Sequence, residues 1–262
     1  MEKAVVCPRQ EGRAKIFPVG LDRVKLKGFL NRKIEVNRKF SIPSLYRLFL
    51  RSGTVNNFKV VCGKRKGDIV RRLATDSDLY KWMEAVSYDL LNEENRQREQ
   101  LLEDLISLVS EAQEKSGYID TFYSGGERKN RFKYLSCSHE LYCGGHLIQA
   151  AIAHYRSTGR ENFLKVALKW ADFVSEKFGP GKIEENDGHP EVEMALVELF
   201  RVTGKEKYLQ LAEFFLSQPY KLLGGYPFLK FPGVIGHAVR MIYLCCGATD
   251  YCTETGEETY LE

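Results

Sequence analysis

From residue 138 onward the chain repeats itself, and that repetition limits the folds open to it more than any single segment does. Three stretches each begin at a histidine, run through an apolar helical pattern and reach a Thr-Gly pair. They read SHELYCGGHLIQAAIAHYRSTGRENFLKVALKWADFV, GHPEVEMALVELFRVTGKEKYLQLAEFFLSQ and GHAVRMIYLCCGATDYCTETGEETYLE. The leading histidines are His139, His189 and His237, spaced 50 and 48 residues apart. The pairs are Thr158-Gly159, Thr203-Gly204 and Thr255-Gly256. Glycine suits the left-handed position just past a helix end. The Glu that follows within a few residues suits the positive start of the next helix. The unit is therefore a helical hairpin of about 45–50 residues.

The two helices of a hairpin differ. Leu147, Ile148, Ala150, Ala151, Ile152 and Ala153 make the first of them almost wholly apolar, which predicts burial on most sides. The second carries its lysines on one face and is expected to meet water. An inner helix and a wet outer helix, repeated, build a solenoid or a closed toroid. In a toroid the inner helices run parallel, so their N-termini and the three histidines gather at one mouth. A ring of six hairpins takes about 270 residues, and this chain offers about four hairpins, so the expected ring is incomplete.

Upstream, residues 1–38 read as irregular or extended, punctuated by Gly12, Pro18, Gly20 and Gly28. Ser41-Ile42-Pro43 starts a helix that Gly53 stops. Leu79, Trp82, Met83 and Val86 fall at helical spacing, with Asp76 and Ser77 as candidate N-caps. Leu101 to Ala112 marks another helix. Gly117–Tyr134 is aromatic, polar and glycine-bearing, and reads as a long loop of the kind that often carries function.

Charge is unevenly spread. Residues 1–75 hold nineteen Lys+Arg against five Asp+Glu, and the remainder twenty against thirty. No zinc-finger, RNP or basic-zipper pattern accompanies the excess, so it reads as a solvated basic face and predicts no nucleic-acid partner. A basic arm that binds polyanions in a salt-dependent way is the competing reading. No apolar run approaches the roughly 18–20 residues of a membrane span, which predicts no membrane partner. The first twenty residues lack the apolar core of a secretion signal. Seven cysteines, an odd number with no CxxC pair, then predict reduced thiols in a cytoplasmic protein.

The blocks NNFKVVCG, DSDLYKWMEAVSYDL, AQEKSGYIDTFYS, SHELYCGGHLIQAAIAHY, GHPEVEMALVELFRVTGKEKYL and GHAVRMIYL occur in that order. From about Val24 to Glu262 the sequence resembles the bacterial β-L-arabinofuranosidase-like glycoside hydrolases of family 127. The resemblance implies an all-α fold, an incomplete (α/α)6-barrel over residues 39–262 after an irregular N-terminal segment over residues 1–38. In full-length relatives it implies β-sandwich domains beyond the barrel. It also implies a retaining reaction: a cysteine thiolate attacks the anomeric carbon, zinc held by Glu and Cys keeps that thiolate ionised, and a Glu protonates the leaving oxygen. Those catalytic and zinc-binding positions lie beyond the third hairpin in the family. The expectation is therefore no catalytic residue and no metal ligand in this chain, with zinc in full-length relatives. A chain of this kind is expected to be inactive alone. Its partner would be a saccharide ending in an L-arabinofuranose-like sugar. A non-catalytic helical-repeat module binding a glycan or a protein is the alternative. An open ring exposes apolar helix flanks and predicts self-association or a completing chain.

The resemblance gives His139, His189 and His237 as the positions that hold the furanose. His146 lies two turns after His139 and either faces the same way or packs structurally. Glu140, Glu191 and Glu193 flank the leading histidines. Paired carboxylates suit acid–base work, and equally suit positive helix starts. Asp78 near Trp82, and Tyr123 together with Tyr118 and Phe122 as stacking rings, complete the substrate-binding candidates. Cys245-Cys246 beside His237, and Cys137 and Cys143 around His139, raise a zinc site, but an apolar setting and the wrong spacing fit packed thiols better. Gly179-Pro180-Gly181-Lys182 follows a helix rather than a strand and is no phosphate loop.

Overall fold

The computed structural model describes residues 2–70 and 74–261. In chain order the helices are α1 (Gly28–Val36), α2 (Ile42–Ser52), α3 (Thr54–Val61), α4 (Thr75–Asp89), α5 (Arg96–Ala112), α6 (Thr121–Ser124) and α7 (Leu135–Ser138). There follow α8 (Glu140–Thr158), α9 (Asn162–Lys177), α10 (Val192–Thr203), α11 (Glu206–Leu216) and α12 (Ala238–Thr255). Among the described residues no strand forms; two isolated bridges pair Phe178 with Ile183 and Tyr220 with Tyr226.

The repeat organises the array as its pattern predicts. Gly159, Gly204 and Gly256 take φ of 76°, 69° and 77° and end α8, α10 and α12 at the Thr-Gly pairs. Fifteen of the nineteen residues of α8 are buried, against seven of the sixteen of its partner α9. The inner helices form a row in which α4 packs on α8, α8 on α10 and α10 on α12, while α9 and α11 lie outside. Adjacent glycines let α8 sit this deep. A Cβ on Gly144 would lie 1.8 Å from the Trp170 ring, and one on Gly145 would lie 2.5 Å from Cγ of Glu191. One apolar cluster runs through the row, from Phe58 and Trp82 through Leu147 and Trp170 to Leu196, Phe215 and Leu244.

The N-terminal stretch departs from its reading. Helix α1 falls inside the segment expected to be irregular, because Gly28 occupies the helix's first position rather than breaking it. Residues 2–20 do stay irregular, and they cross the far ends of α8, α10 and α12. Arg156 donates to the carbonyls of Ala4 (3.3 Å) and Val5 (2.9 Å), and the Cys7 N–H donates to Glu198 (3.2 Å). Arg156 also pairs with Glu198, and Arg201 bridges Glu198 (2.8 Å), Asp250 (2.7 Å) and Glu254 (2.6 Å).

The start of α4 also differs. Ala74, not Asp76 or Ser77, stands at the N-cap. The Asp76 carboxylate instead accepts from the Thr121 hydroxyl (2.6 Å) and N–H (2.7 Å), bracing the loop before α6. Asp76 thus ties α4 to that loop rather than capping its own helix.

Candidate functional site

Asp187, a residue with 1% exposure, positions the rim. One of its oxygens accepts from the N–H groups of Leu141 (2.9 Å) and Tyr142 (3.2 Å) at the start of α8; the other accepts from the N–H of His189 (3.0 Å). A carboxylate at a helix N-terminus satisfies orphan donors and meets the positive end of the dipole. Here it comes from the next repeat, so it locks the start of α8 to the chain leading into α10. Burial pushes the Asp187 carboxyl up to about 7 against those three donors.

The three leading histidines then stand side by side. Ring centroids lie 5.9 Å apart for His139 and His189, and 6.5 Å apart for His189 and His237. Tyr142 of α8 and Tyr243 of α12 complete the group, 4.4 Å and 5.5 Å from His189. His139 and His189 are half-buried and His237 is exposed. His139 takes a left-handed backbone (φ 58°), uncommon for a residue with a Cβ. Its Nδ1 lies 3.1 Å from the Cys137 carbonyl, and Nδ1 of His189 lies 3.0 Å from the Pro190 carbonyl. A carbonyl only accepts, so each Nδ1 carries the proton and each Nε2 keeps a lone pair. Burial holds His139 below the usual imidazole range and His189 at about 4, with Arg240 adding to both shifts. Both rings are therefore neutral at pH 7 and offer acceptors to hydroxyl groups.

Beneath the rim the side chains are sealed. His146 is 5% exposed and Glu191 fully buried; His146 Nδ1 lies 3.3 Å from Glu191 Oε1 outside hydrogen-bonding geometry, and neither side chain has a hydrogen-bond partner. Burial drives His146 down to about 2 and Glu191 well up, with Glu84 nearby raising Glu191 further. Both are thus neutral. Lys81 donates to the Tyr142 hydroxyl (2.7 Å) and to Ser77 (3.2 Å). The His146 ring sits 4.6 Å from Tyr142 and 6.2 Å from Tyr243, so it supports the two aromatic walls from below.

The other candidates lie elsewhere. Glu140 turns away from the rim: its buried carboxylate accepts from the Tyr118 hydroxyl (2.7 Å) and the Phe132 N–H (2.9 Å), which fixes the long loop. Tyr118 and Tyr123 are buried, the latter edge-on to Phe122 at 4.8 Å, and present no open face for stacking. Glu193 accepts from the Tyr220 hydroxyl (2.9 Å) and the Glu191 N–H (2.9 Å). Asp78 is exposed on the first turn of α4, near enough to Tyr142 for its charge to act on that phenol. All seven cysteines are free, and among the described residues no three His, Cys, Asp or Glu are grouped to hold a metal. Tyr142, Tyr243, Lys81 and Asp187 are the site residues that sequence reasoning missed. The signal was there for two of them, since Tyr142 lies one turn past His139 and Asp187 two residues before His189.

A helical-hairpin array with imidazole acceptors and aromatic walls at one rim is an architecture suited to polyols, and the comparisons place the chain among glycoside hydrolases. It belongs to the family described as β-L-arabinofuranosidase, GH127 catalytic domain, whose profile matches residues 23–262. A non-reducing end β-L-arabinofuranosidase of Bifidobacterium longum subsp. longum is 33% identical over 246 residues, covering 81% of this chain and 37% of that protein. The crystal structure of Ara127N-Se, a GH127 β-L-arabinofuranosidase from Geobacillus stearothermophilus T6, superposes with a TM-score of 0.86. It is 33% identical and covers 91% of this chain and 43% of its own. The GH127 β-arabinofuranosidase BT3674 gives 0.86 at 29% identity, covering 99% and 42%. The chain thus spans less than half the length of these relatives. No helix among the described residues is long and apolar enough to cross a membrane.

Proposed function

We propose that this chain is the sugar-gripping part of a β-L-arabinofuranosidase-like glycoside hydrolase, built as a partial toroid over residues 39–262 and working in the cytoplasm. His139, His189 and His237 accept hydrogen bonds from the hydroxyls of a terminal L-arabinofuranose. Tyr142 and Tyr243 wall the sugar, and His146 supports them from beneath. The nucleophile, the acid/base Glu and the zinc ligands of a retaining reaction lie outside these 262 residues. The observation that carries this reading is the meeting of three repeat-equivalent imidazoles within 6.5 Å of their neighbours. The neutral His139 and His189 rings, each with a free Nε2 atom, suit an uncharged furanose, whose hydroxyls need acceptors as well as donors.

The test is an assay of the purified chain with an aryl β-L-arabinofuranoside, alongside calorimetric titration with methyl β-L-arabinofuranoside. Saturable binding without turnover is expected, and His189→Ala should weaken binding about tenfold or more, the scale of one or two lost hydrogen bonds. Turnover by the 262-residue chain would overturn the division of labour. Absence of binding would overturn the reading of the rim.

A further inference from the structure

Beneath the rim, His146 of α8 and Glu191 at the start of α10 leave four polar atoms without a hydrogen-bond partner: both ring nitrogens and both carboxyl oxygens. The two side chains are buried among this chain's own inner helices. An unpaired polar group in such a place is costly, and four together call for a physical account. Sequence and packing bring them together. Gly145 makes the room, since a Cβ there would lie 2.5 Å from Cγ of Glu191. The next residue is His146, and its Nδ1 stands 3.3 Å from Glu191 Oε1.

The groups around the pair keep it uncharged. Glu84 and Lys81 face it from α4, Glu193 from α10 itself, Tyr142 and His189 from the rim, and Tyr243 and Cys246 from α12. Glu84 and Glu193 oppose a negative Glu191, and Lys81 and His189 oppose a positive His146. Lys81 is already engaged with Tyr142 and Ser77. A neutral carboxylic acid has one O–H to donate, and a neutral imidazole has one nitrogen lone pair to receive it.

We propose that Glu191 is a positioning residue of the rim: its carboxylic acid donates a hydrogen bond to Nδ1 of His146 and so fixes the ring that supports Tyr142 and Tyr243. A small turn of the carboxyl group from its present approach makes that bond. The His146 ring stands at 86° to Tyr142 and 83° to Tyr243. His189 packs on the same two tyrosines, so each wall touches one imidazole of the rim and one of the floor. The bond also sets the tautomer, because a ring nitrogen that accepts leaves the proton on the other. His146 carries its proton on Nε2, the reverse of His139 and His189, whose Nδ1 atoms face carbonyls.

Long-range proton–nitrogen NMR of the labelled chain at pH 7 reads the tautomer without any sugar. His146 should be neutral with its proton on Nε2. Glu191→Gln, whose amide N–H donates in place of the acid, should keep that tautomer and the ring shifts of Tyr142 and Tyr243. Glu191→Leu removes the donor and should move those shifts. A charged His146, or a proton on Nδ1, would overturn the proposal, since a carboxylate accepting from the ring requires the opposite tautomer. The part played in gripping sugar rests on the reading of the rim given above, and titration with methyl β-L-arabinofuranoside tests it separately. Binding should weaken about tenfold in Glu191→Leu and return in Glu191→Gln. A wild-type chain that binds no sugar would end the reading of the rim, while the NMR result still decides the pair. Wild-type affinity in a folded Glu191→Leu would end the positioning role. Circular dichroism checks that fold, and the wild-type and Glu191→Gln spectra decide the tautomer without it.

Discussion

His189 shows how a side chain becomes an acceptor by placement. Its Nδ1 is committed to the Pro190 carbonyl, and burial together with the charges of His139, Arg240 and His237 disfavours a second proton. An unfolded histidine gains a proton near pH 6.5, and this one near 4. Between those values the unfolded chain is protonated and the native one is not. The group therefore subtracts stability as pH falls through that window, and it neither adds nor subtracts above it. The corresponding expectation is an NMR titration of the His189 Cε1–H resonance with a midpoint near pH 4. A midpoint at 6 or above would show a ring that is open to water and able to charge. The three histidines were legible in the sequence because the repeat placed them in register. Tyr142, Tyr243 and Lys81 were not, because an aromatic ring or a lysine on an inner helix looks the same whether it packs or faces a site. Glu140 misled for the opposite reason. Its sequence position is at the rim, but the Tyr118 hydroxyl and the Phe132 N–H draw its carboxylate to the loop.

At the scale of elements, the hairpins were readable from hydrophobic period and Thr-Gly punctuation, two local signals. What ties the hairpins together was not readable, because it depends on charges far apart in sequence. Arg201 meets Glu198 three residues away, but Asp250 and Glu254 come from α12 and the Cys7 N–H from the N-terminal stretch. The side chains of Arg156, Arg201, Glu198 and Glu254 are at most 2% exposed. Breaking a buried pair leaves an uncompensated charge, which costs about 3–5 kcal/mol. Arg201→Ala should lower unfolding free energy in urea by that amount. A loss under about 1 kcal/mol would mean that water reaches the network and screens it. Helix α1 runs against the reading of Gly28 as a breaker, since at a helix's first position a glycine carries little of the cost it has inside one.

For the whole molecule, the histidine mouth and the ion network occupy opposite ends of the same inner helices. Residues 2–20 brace the far ends of α8, α10 and α12, and Asp187 registers the near ends of α8 and α10. The rim is thus held by packing and by polar ties at both poles, a condition for keeping three rings in one arrangement. The direct measurement of the central claim follows the ring resonances of His139, His189 and His237 while methyl β-L-arabinofuranoside is added at pH 7. The account predicts that all three shift along one saturation curve, with a single dissociation constant, while His154 stays unmoved. Rings that do not respond, or that respond with separate affinities, would contradict it.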